Sequence, residues 1–365
     1  MSYDLEKYLN DKLEMLVKNA LKVTLKNPKQ SAFFMRFTSS YKKAEKHRHE
    51  LERNGEHVPS FLIASITDDC NLNCAGCYSH ANEHENNACE KSTELHAAVW
   101  GRIFDEAEEL GISAILMAGG EPLLRQDVIA EAAKRKSLMF PVITNGTFLD
   151  DSTVRIFDSN RNLIPIISIE GGETATDSRR GYGVYKQAAK TMDRLRERGI
   201  LFGVSITVTS ENLDAVTDTV FISELEQAGC KAVLFVEYVP VESPDIALDT
   251  ESREHLASRV EKLRVRQEGV IFISFPGDEA ESGGCLAAGR GFFHISASGA
   301  AEPCPFSPYS DLNLRDSSLR DALKSPLFVR LRDGGYLATK HTGGCVLFEQ
   351  KEAVRQLAGA ETRRR

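Results

Sequence analysis

The chain reads as an α/β fold in which a parallel sheet curls into a partial (β/α)6 barrel. Three observations predict it. Six short apolar runs, rich in β-branched residues, each lead into a stretch with helical spacing. The runs are continuous rather than alternating, as in strands covered on both faces. Polar and glycine-rich residues gather at the C-terminal end of each run, the end at which such sheets bind ligands.

Residues 3–25 place Leu5, Leu9, Leu13, Leu16 and Ala20 at helical spacing. Residues 29–54 form a second helical stretch, ending near Asn54-Gly55. Pro59 then opens FLIASIT (61–67), the first strand. Ser92 is placed to cap a helix running to Leu110 and ended by Gly111. ISAILMAGG (112–120) is the second strand, with a helix over about 126–135. PVITNG (141–146) is the third, with a helix around 151–158. LIPIISIEG (163–171) is the fourth, followed by a helix over about 183–198 that Gly199 ends. FGVSITVT (202–209) is the fifth, with a helix over about 213–228, and KAVLFVEYVPV (231–241) is the sixth. Right-handed crossovers curl such units into a TIM-like barrel or part of one.

After Pro244 the pattern changes. Residues 250–266 read as a charged helix and VIFISFPGD (270–278) as a strand. FFHISASGAAEPC (292–304) reads as two short strands about Ser298-Gly299, and 318–334 as a helix. The expected organisation is a helical extension over 1–60, the barrel core over 61–245 and a C-terminal region over 246–365.

Composition bounds the function. Of 365 residues, 42% are apolar and 27% charged, enough to bury a sizeable core and to exclude wholesale disorder. No apolar run approaches the length of a membrane helix. The segment MSYDLEKYLNDKLE is too charged for a signal peptide, so a cytoplasmic protein is expected. The net charge is 45 − 53 = −8, although residues 1–60 carry 12 Lys/Arg against 8 Asp/Glu. That balance argues against a nucleic-acid or membrane partner.

The eight cysteines are Cys70, Cys74, Cys77, Cys89, Cys230, Cys285, Cys304 and Cys345. In a reducing compartment, clustered cysteines signal metal or catalysis more than disulfides. Cys70, Cys74 and Cys77 form a C-x3-C-x2-C loop directly after the first strand. Three thiolates are one short of a closed zinc site and suit a [4Fe–4S] cube with one iron left open. A zinc knuckle or a purely structural cluster is the alternative.

This spacing in this place resembles the radical S-adenosylmethionine (SAM) superfamily. The resemblance implies that SAM chelates the open iron through its amino and carboxylate groups. One electron from the cluster then splits SAM to a 5′-deoxyadenosyl radical. Gly76 departs from the aromatic residue usual before the last cysteine, and Tyr78 follows it. Gly119-Gly120-Glu121-Pro122 resembles the family's GGEP segment, which receives the SAM amino group. Two glycines let a ligand near the main chain, and a carboxylate suits an ammonium group. Ser168 and Glu170 match a segment near the ribose hydroxyls or the substrate, with Glu in place of the usual Asp. Asp177-Ser-Arg-Arg180-Gly181 resembles a D-x-x-R-G stretch, so Arg180 is expected to clamp the SAM carboxylate. Ser205, Thr207 and Asn212 match a pattern with the same role. Tyr238 and Val239, within Glu237–Pro240, fall where backbone meets adenine. Thr144-Asn145-Gly146 is expected to be a tight turn shaping the floor of the site.

Cys285, Cys304 and Cys345 are separated by 18 and 40 intervening residues, in Gly/Pro-rich surroundings. They resemble the SPASM/twitch-type extensions of radical SAM enzymes, which implies an auxiliary [4Fe–4S] cluster with three Cys ligands. His294 and His341 are possible fourth ligands, or else plain surface or core histidines. Cys89 and Cys230 have no evident partners and read as structural. The resemblance covers roughly residues 61–350; the N-terminal stretch either packs across the barrel's open side or binds a partner. It implies hydrogen abstraction from a substrate, with a reduced flavodoxin- or ferredoxin-type electron donor and a peptide or protein to be modified. The alternatives are a small-molecule radical SAM oxidoreductase in cofactor biosynthesis, and a non-catalytic iron–sulfur electron carrier.

Overall fold

The computed structural model describes residues 14, 18–22, 27–81, 93–241, 243–337 and 345–359. Leu5, Leu9, Leu13, Leu16, Cys89, Ser92 and His341 lie outside them.

One sheet organises the chain, in the order β7-β6-β5-β4-β3-β2-β1-β8-β9. Its strands are β1 (Phe61–Ser65), β2 (Ala114–Ala118), β3 (Phe140–Thr144), β4 (Leu163–Ile169), β5 (Gly203–Val208), β6 (Ala232–Glu237), β7 (Ile271–Phe275), β8 (His294–Ile295) and β9 (Ala301–Glu302). β1 to β7 run parallel in sequence order, and β8 adds in parallel to the free edge of β1. β9 returns antiparallel on β8 around Ser298-Gly299, as the sequence predicts. The result is a curled parallel half-barrel. The sheet continues past residue 245, because the helix Thr250–Arg266 returns the chain so that Ile271–Phe275 pairs with β6.

The helices α1 (Pro28–Arg53), α2 (Ala97–Glu109), α3 (Gln126–Lys134), α4 (Asp151–Ser159), α5 (Glu173–Arg180), α6 (Val184–Glu197), α7 (Leu213–Val216), α8 (Thr219–Gln227) and α9 (Thr250–Arg266) precede or join these strands. Trp100 and Phe104 of α2, Phe157 of α4 and Leu195 of α6 are buried against outward-facing strand residues such as Ile115, Val142, Ile167 and Val204. Full burial of each such side chain contributes about 1.5–3 kcal/mol. The expected 213–228 helix breaks at Thr217, because Asp218 turns extended and caps α8 at the Val220 N–H. The expected 318–334 helix breaks into α10 (Leu319–Leu323) and α11 (Pro326–Asp333), since Pro326 bars its predecessor from helical geometry. The helix expected from Ser92 begins at Ala97, with His96 at its cap position. The chain ends in α12 (Val346–Glu349) and α13 (Lys351–Gly359).

α1 builds a second, smaller core. Phe33, Phe34, Phe37 and Tyr41 pack on the inward-facing Ile164 and Ile166, flanked by Met139, Leu201 and Ile271. Those are strand-start positions. Gln30 donates to the Arg161 carbonyl at 3.2 Å, and Arg48 binds the Gly111 carbonyl and the Ser113 hydroxyl. The helix therefore closes the N-terminal mouth of the half-barrel rather than its open side.

Candidate active site

The site begins where β1 ends. Arg125 reaches back to the Ile66 and Leu95 carbonyls at 3.1 and 3.0 Å and pairs with Glu94. Glu94 in turn accepts from the Thr67 hydroxyl and the Asp68 N–H at 2.7 and 2.9 Å. Thus the entry to the cysteine loop is fixed before its first thiol. Gly119 and Gly120 are needed for this same stretch. A Cβ on Gly119 would stand 2.2 Å from the Thr67 carbonyl oxygen, and one on Gly120 2.1 Å from that of Asp69. Gly120 and Glu121 donate their N–H groups to those two carbonyls at 2.7 and 2.8 Å. The glycines thus admit the chain's own backbone, and both also face the cavity.

Glu121 is fully buried. Its carboxyl accepts from the Leu123 N–H, the Thr144 hydroxyl and the Asn145 N–H at 3.1, 2.7 and 2.8 Å. Burial pushes its pKa up, against the pull of those bonds. Neither Glu121 nor Pro122 lines the cavity. Glu121 instead ties the end of β2 to the end of β3, and Asn145 passes the link on by donating to Asn71 in the cysteine loop at 2.9 Å. The Thr144–Gly146 turn is therefore a brace for that loop.

Cys70, Cys74 and Cys77 line one cavity of about 530 Å³ at the C-terminal ends of the strands. Burial pushes the Cys70 and Cys74 thiols up; the Leu72 N–H eases the first and Arg180 the second. Cys70 also feels Cys74 and Cys77, and Cys74 feels Cys77. Among the described residues, no three His, Cys, Asp or Glu side chains converge on a point that one metal ion would fill. Three thiolates, one short of the four that close a structural zinc site, suit an iron–sulfur cube.

The facing wall comes from β4 to β6. Ser168 and Ser205 sit opposite each other across β4 and β5, and both face the cavity. Glu170 does not face it. Its carboxylate is taken by Arg179, by Arg180 at 2.6 and 2.9 Å, and by the Thr207 N–H at 3.1 Å. Burial works against the Arg180 charge, but Glu170 and Cys74 outweigh it and hold its pKa above the ordinary value. Two guanidinium groups against one carboxylate leave this wall net positive, suited to an anionic cluster or a ligand carboxylate. Asn212 braces the strand ends, donating to the Thr207 and Glu170 carbonyls at 2.9 and 3.2 Å. Tyr238 and Val239 line the cavity. A Cβ on Gly76 would lie 2.8 Å from the Tyr238 ring, so an aromatic ring does sit over position 76, supplied by β6.

Sequence reasoning missed two residues. Arg179 donates to the Ala75 carbonyl at 3.1 Å and to Thr207 at 2.9 Å, and its carbonyl accepts from the Ala75 N–H, clamping the cysteine loop. His80 lines the cavity, and its buried Nδ1 finds no hydrogen-bond partner among the described residues. A single histidine gives no spacing signal, and spacing alone does not separate Arg179 from its neighbour Arg180.

The spread cysteines converge. Burial drives the Cys304 thiol up, reinforced by Cys345 within hydrogen-bonding reach and by Cys285. Tyr78 and Phe306 meet edge to face at 5.2 Å between the two cysteine groups. His294 is not free to ligate: it is buried, with Nδ1 2.7 Å from Glu302 and Nε2 2.8 Å from the Ser65 hydroxyl. Cys230 is buried and bonds the Ala232 carbonyl at 3.1 Å, and its thiol is pushed up to about 12.

Residues 64–221 match the model of the radical SAM superfamily. That segment is a radical SAM domain. An AdoMet-dependent heme synthase of Methanosarcina barkeri is 27% identical over 326 residues, covering 81% of this chain and 90% of the relative. A PqqA peptide cyclase of Granulibacter bethesdensis is 28% identical over 259 residues, 67% of each chain. Among solved structures, Streptococcus suis SuiB bound to precursor peptide SuiA superposes with a TM-score of 0.64 at 18% identity, over 80% of this chain and 71% of that one. That last likeness is one of fold. As a radical SAM protein, the chain is an enzyme that uses a [4Fe–4S] cluster and SAM, which sets aside the electron-carrier reading.

Proposed function

We propose that this radical SAM enzyme modifies a peptide or protein by removing a hydrogen atom from one of its C–H bonds. Bound together, cluster and SAM supply the 5′-deoxyadenosyl radical that does so. Cys70, Cys74 and Cys77 hold three irons. The Gly119–Pro122 segment receives the SAM amino group through its backbone, with Glu121 as a positioning residue. Arg179 and Arg180 offer positive charge to the SAM carboxylate, while Glu170 orients them. Ser168 and Ser205 face the ribose or the substrate, and the Tyr238-Val239 backbone meets adenine. Cys285, Cys304 and Cys345 hold an auxiliary [4Fe–4S] cluster in the C-terminal region, whose strands extend the sheet of the half-barrel. A reduced flavodoxin- or ferredoxin-type protein in the cytoplasm supplies the electron.

The observation that carries this reading is one cavity in which three thiols, a cationic wall and inward-facing hydroxyls meet at the strand ends. The peptide substrate is supported by the peptide cyclase relative and by the precursor peptide bound to SuiB. A second reading, a cofactor-precursor substrate, is favoured by the heme synthase relative, which spans more of the chain. Anaerobic turnover with SAM and candidate precursor peptides decides between them. A change in peptide mass matched by 5′-deoxyadenosine release is expected. Consumption of a porphyrin with every peptide untouched would replace the first reading by the second.

A further inference from the structure

Among the described residues, no side chains fill the interior of this half-barrel as they fill a closed TIM barrel's. Along β6 and β7 burial alternates. Phe235 and Phe272 are buried against the helices, whereas the inward-facing Leu234 and Ile273 stay partly exposed. Leu116, Ile143 and Ile166 line the same space beneath the cysteine loop. Phe34 of α1 lines it too, and α1 packs at the strand starts, the end opposite the thiols. Hydroxyls from β4 and β5 and the guanidinium groups of Arg179 and Arg180 from α5 stay at the upper end. Ser168 follows Ile166 on the inward face of β4, so the lining changes from apolar to polar within one strand pitch. Beside β7, Arg264 is neutralised by Asp278 at 2.7 and 2.8 Å.

A large apolar surface beside a reactive centre calls for an apolar occupant. A peptide backbone does not suit the depth, because the apolar side chains there offer it no hydrogen bonds. It suits the polar rim, from which a side chain can reach down. An apolar cavity of about 150 Å³ already takes a benzene ring, so this space admits an aromatic or branched aliphatic side chain. We propose that the cavity binds an apolar side chain of the substrate, with Phe34 of the N-terminal helix setting its depth. The proposal rests on the peptide reading above.

The test uses the full-length reconstituted enzyme and the neutral fluorophore N-phenyl-1-naphthylamine. Phe34→Trp and Ile143→Phe fill the cavity, and Met35→Ala, on the exposed side of the same helix, is the control. Thermal melts identify any variant that fails to fold, and either filling variant alone suffices. Filling should weaken fluorophore binding roughly ten-fold, the effect of losing a good apolar fit, and the control should not. N-acetyl-tryptophanamide should displace the fluorophore and N-acetyl-lysinamide should not. Equal binding by all folded variants would overturn the proposal. So would displacement by a porphyrin but not by the capped tryptophan. If binding follows the cavity while no peptide is ever turned over, the peptide reading falls and the apolar pocket stands.

Discussion

At position 76 the loop has no side chain because Tyr238 takes the room, and the backbone there is left-handed at φ +63°. Gly76→Ala should therefore lose most SAM cleavage, and Tyr238→Ala in the same chain should restore part of it, read as 5′-deoxyadenosine released per hour. A double variant no better than the single would contradict the steric account. Arg179 makes a different demand. Removing it leaves Glu170 buried with a single arginine and frees the Ala75 carbonyl. Because Arg180 remains and Arg179 is partly exposed, Arg179→Ala should cost about 2–3 kcal/mol by urea denaturation, less than a fully broken buried pair. The cysteines, Gly119, Gly120 and Ser168 were legible because their spacing from the strand ends is fixed. Arg179 was not, since its neighbour Arg180 fits the same pattern and only the helix phase decides which partners each reaches.

Among the elements, the six predicted strands stand where the apolar runs are, because continuous burial leaves no other place for them. Breaks inside helices were less legible: Asp218 and Pro326 act locally against an unbroken apolar period. The helix α4 shows the strength of such local signals. Asp150 caps it, and the Ser152 hydroxyl with the Thr153 and Ser152 N–H groups holds the carboxyl down at about 2. Its folded value lies below the ordinary 3.8, so the cap is complete above that value and is lost as the pH falls toward 2. Asp150→Asn keeps the acceptor without the titration. Its melting temperature should fall less than the wild type's between about pH 5 and about pH 2, and parallel declines would contradict the assignment. The role of α1 was illegible, as its aromatic face has meaning only against β4. Phe37 is fully buried there, so Phe37→Ala should cost about 3–5 kcal/mol in urea unfolding. A loss below about 1 kcal/mol would mean that α1 does not seal the barrel.

Over the whole molecule, one half-barrel carries both the cysteine loop and, through β8 and β9, the segment that delivers Cys304. That second junction could not be read from sequence, because strands of two residues carry no periodicity. Two three-cysteine centres predict about eight irons after anaerobic reconstitution, four for each cube; about four would remove the auxiliary centre. Cys304→Ala should spare uncoupled SAM cleavage and stop product formation, followed as 5′-deoxyadenosine against modified substrate. The central claim is that three sulfurs leave one iron open to SAM. It is tested most directly by electron paramagnetic resonance of the reduced protein with and without SAM, beside Cys74→Ala. The account predicts a cluster signal that SAM perturbs and that Cys74→Ala abolishes. A zinc-filled loop, or a cluster signal indifferent to SAM, would contradict it.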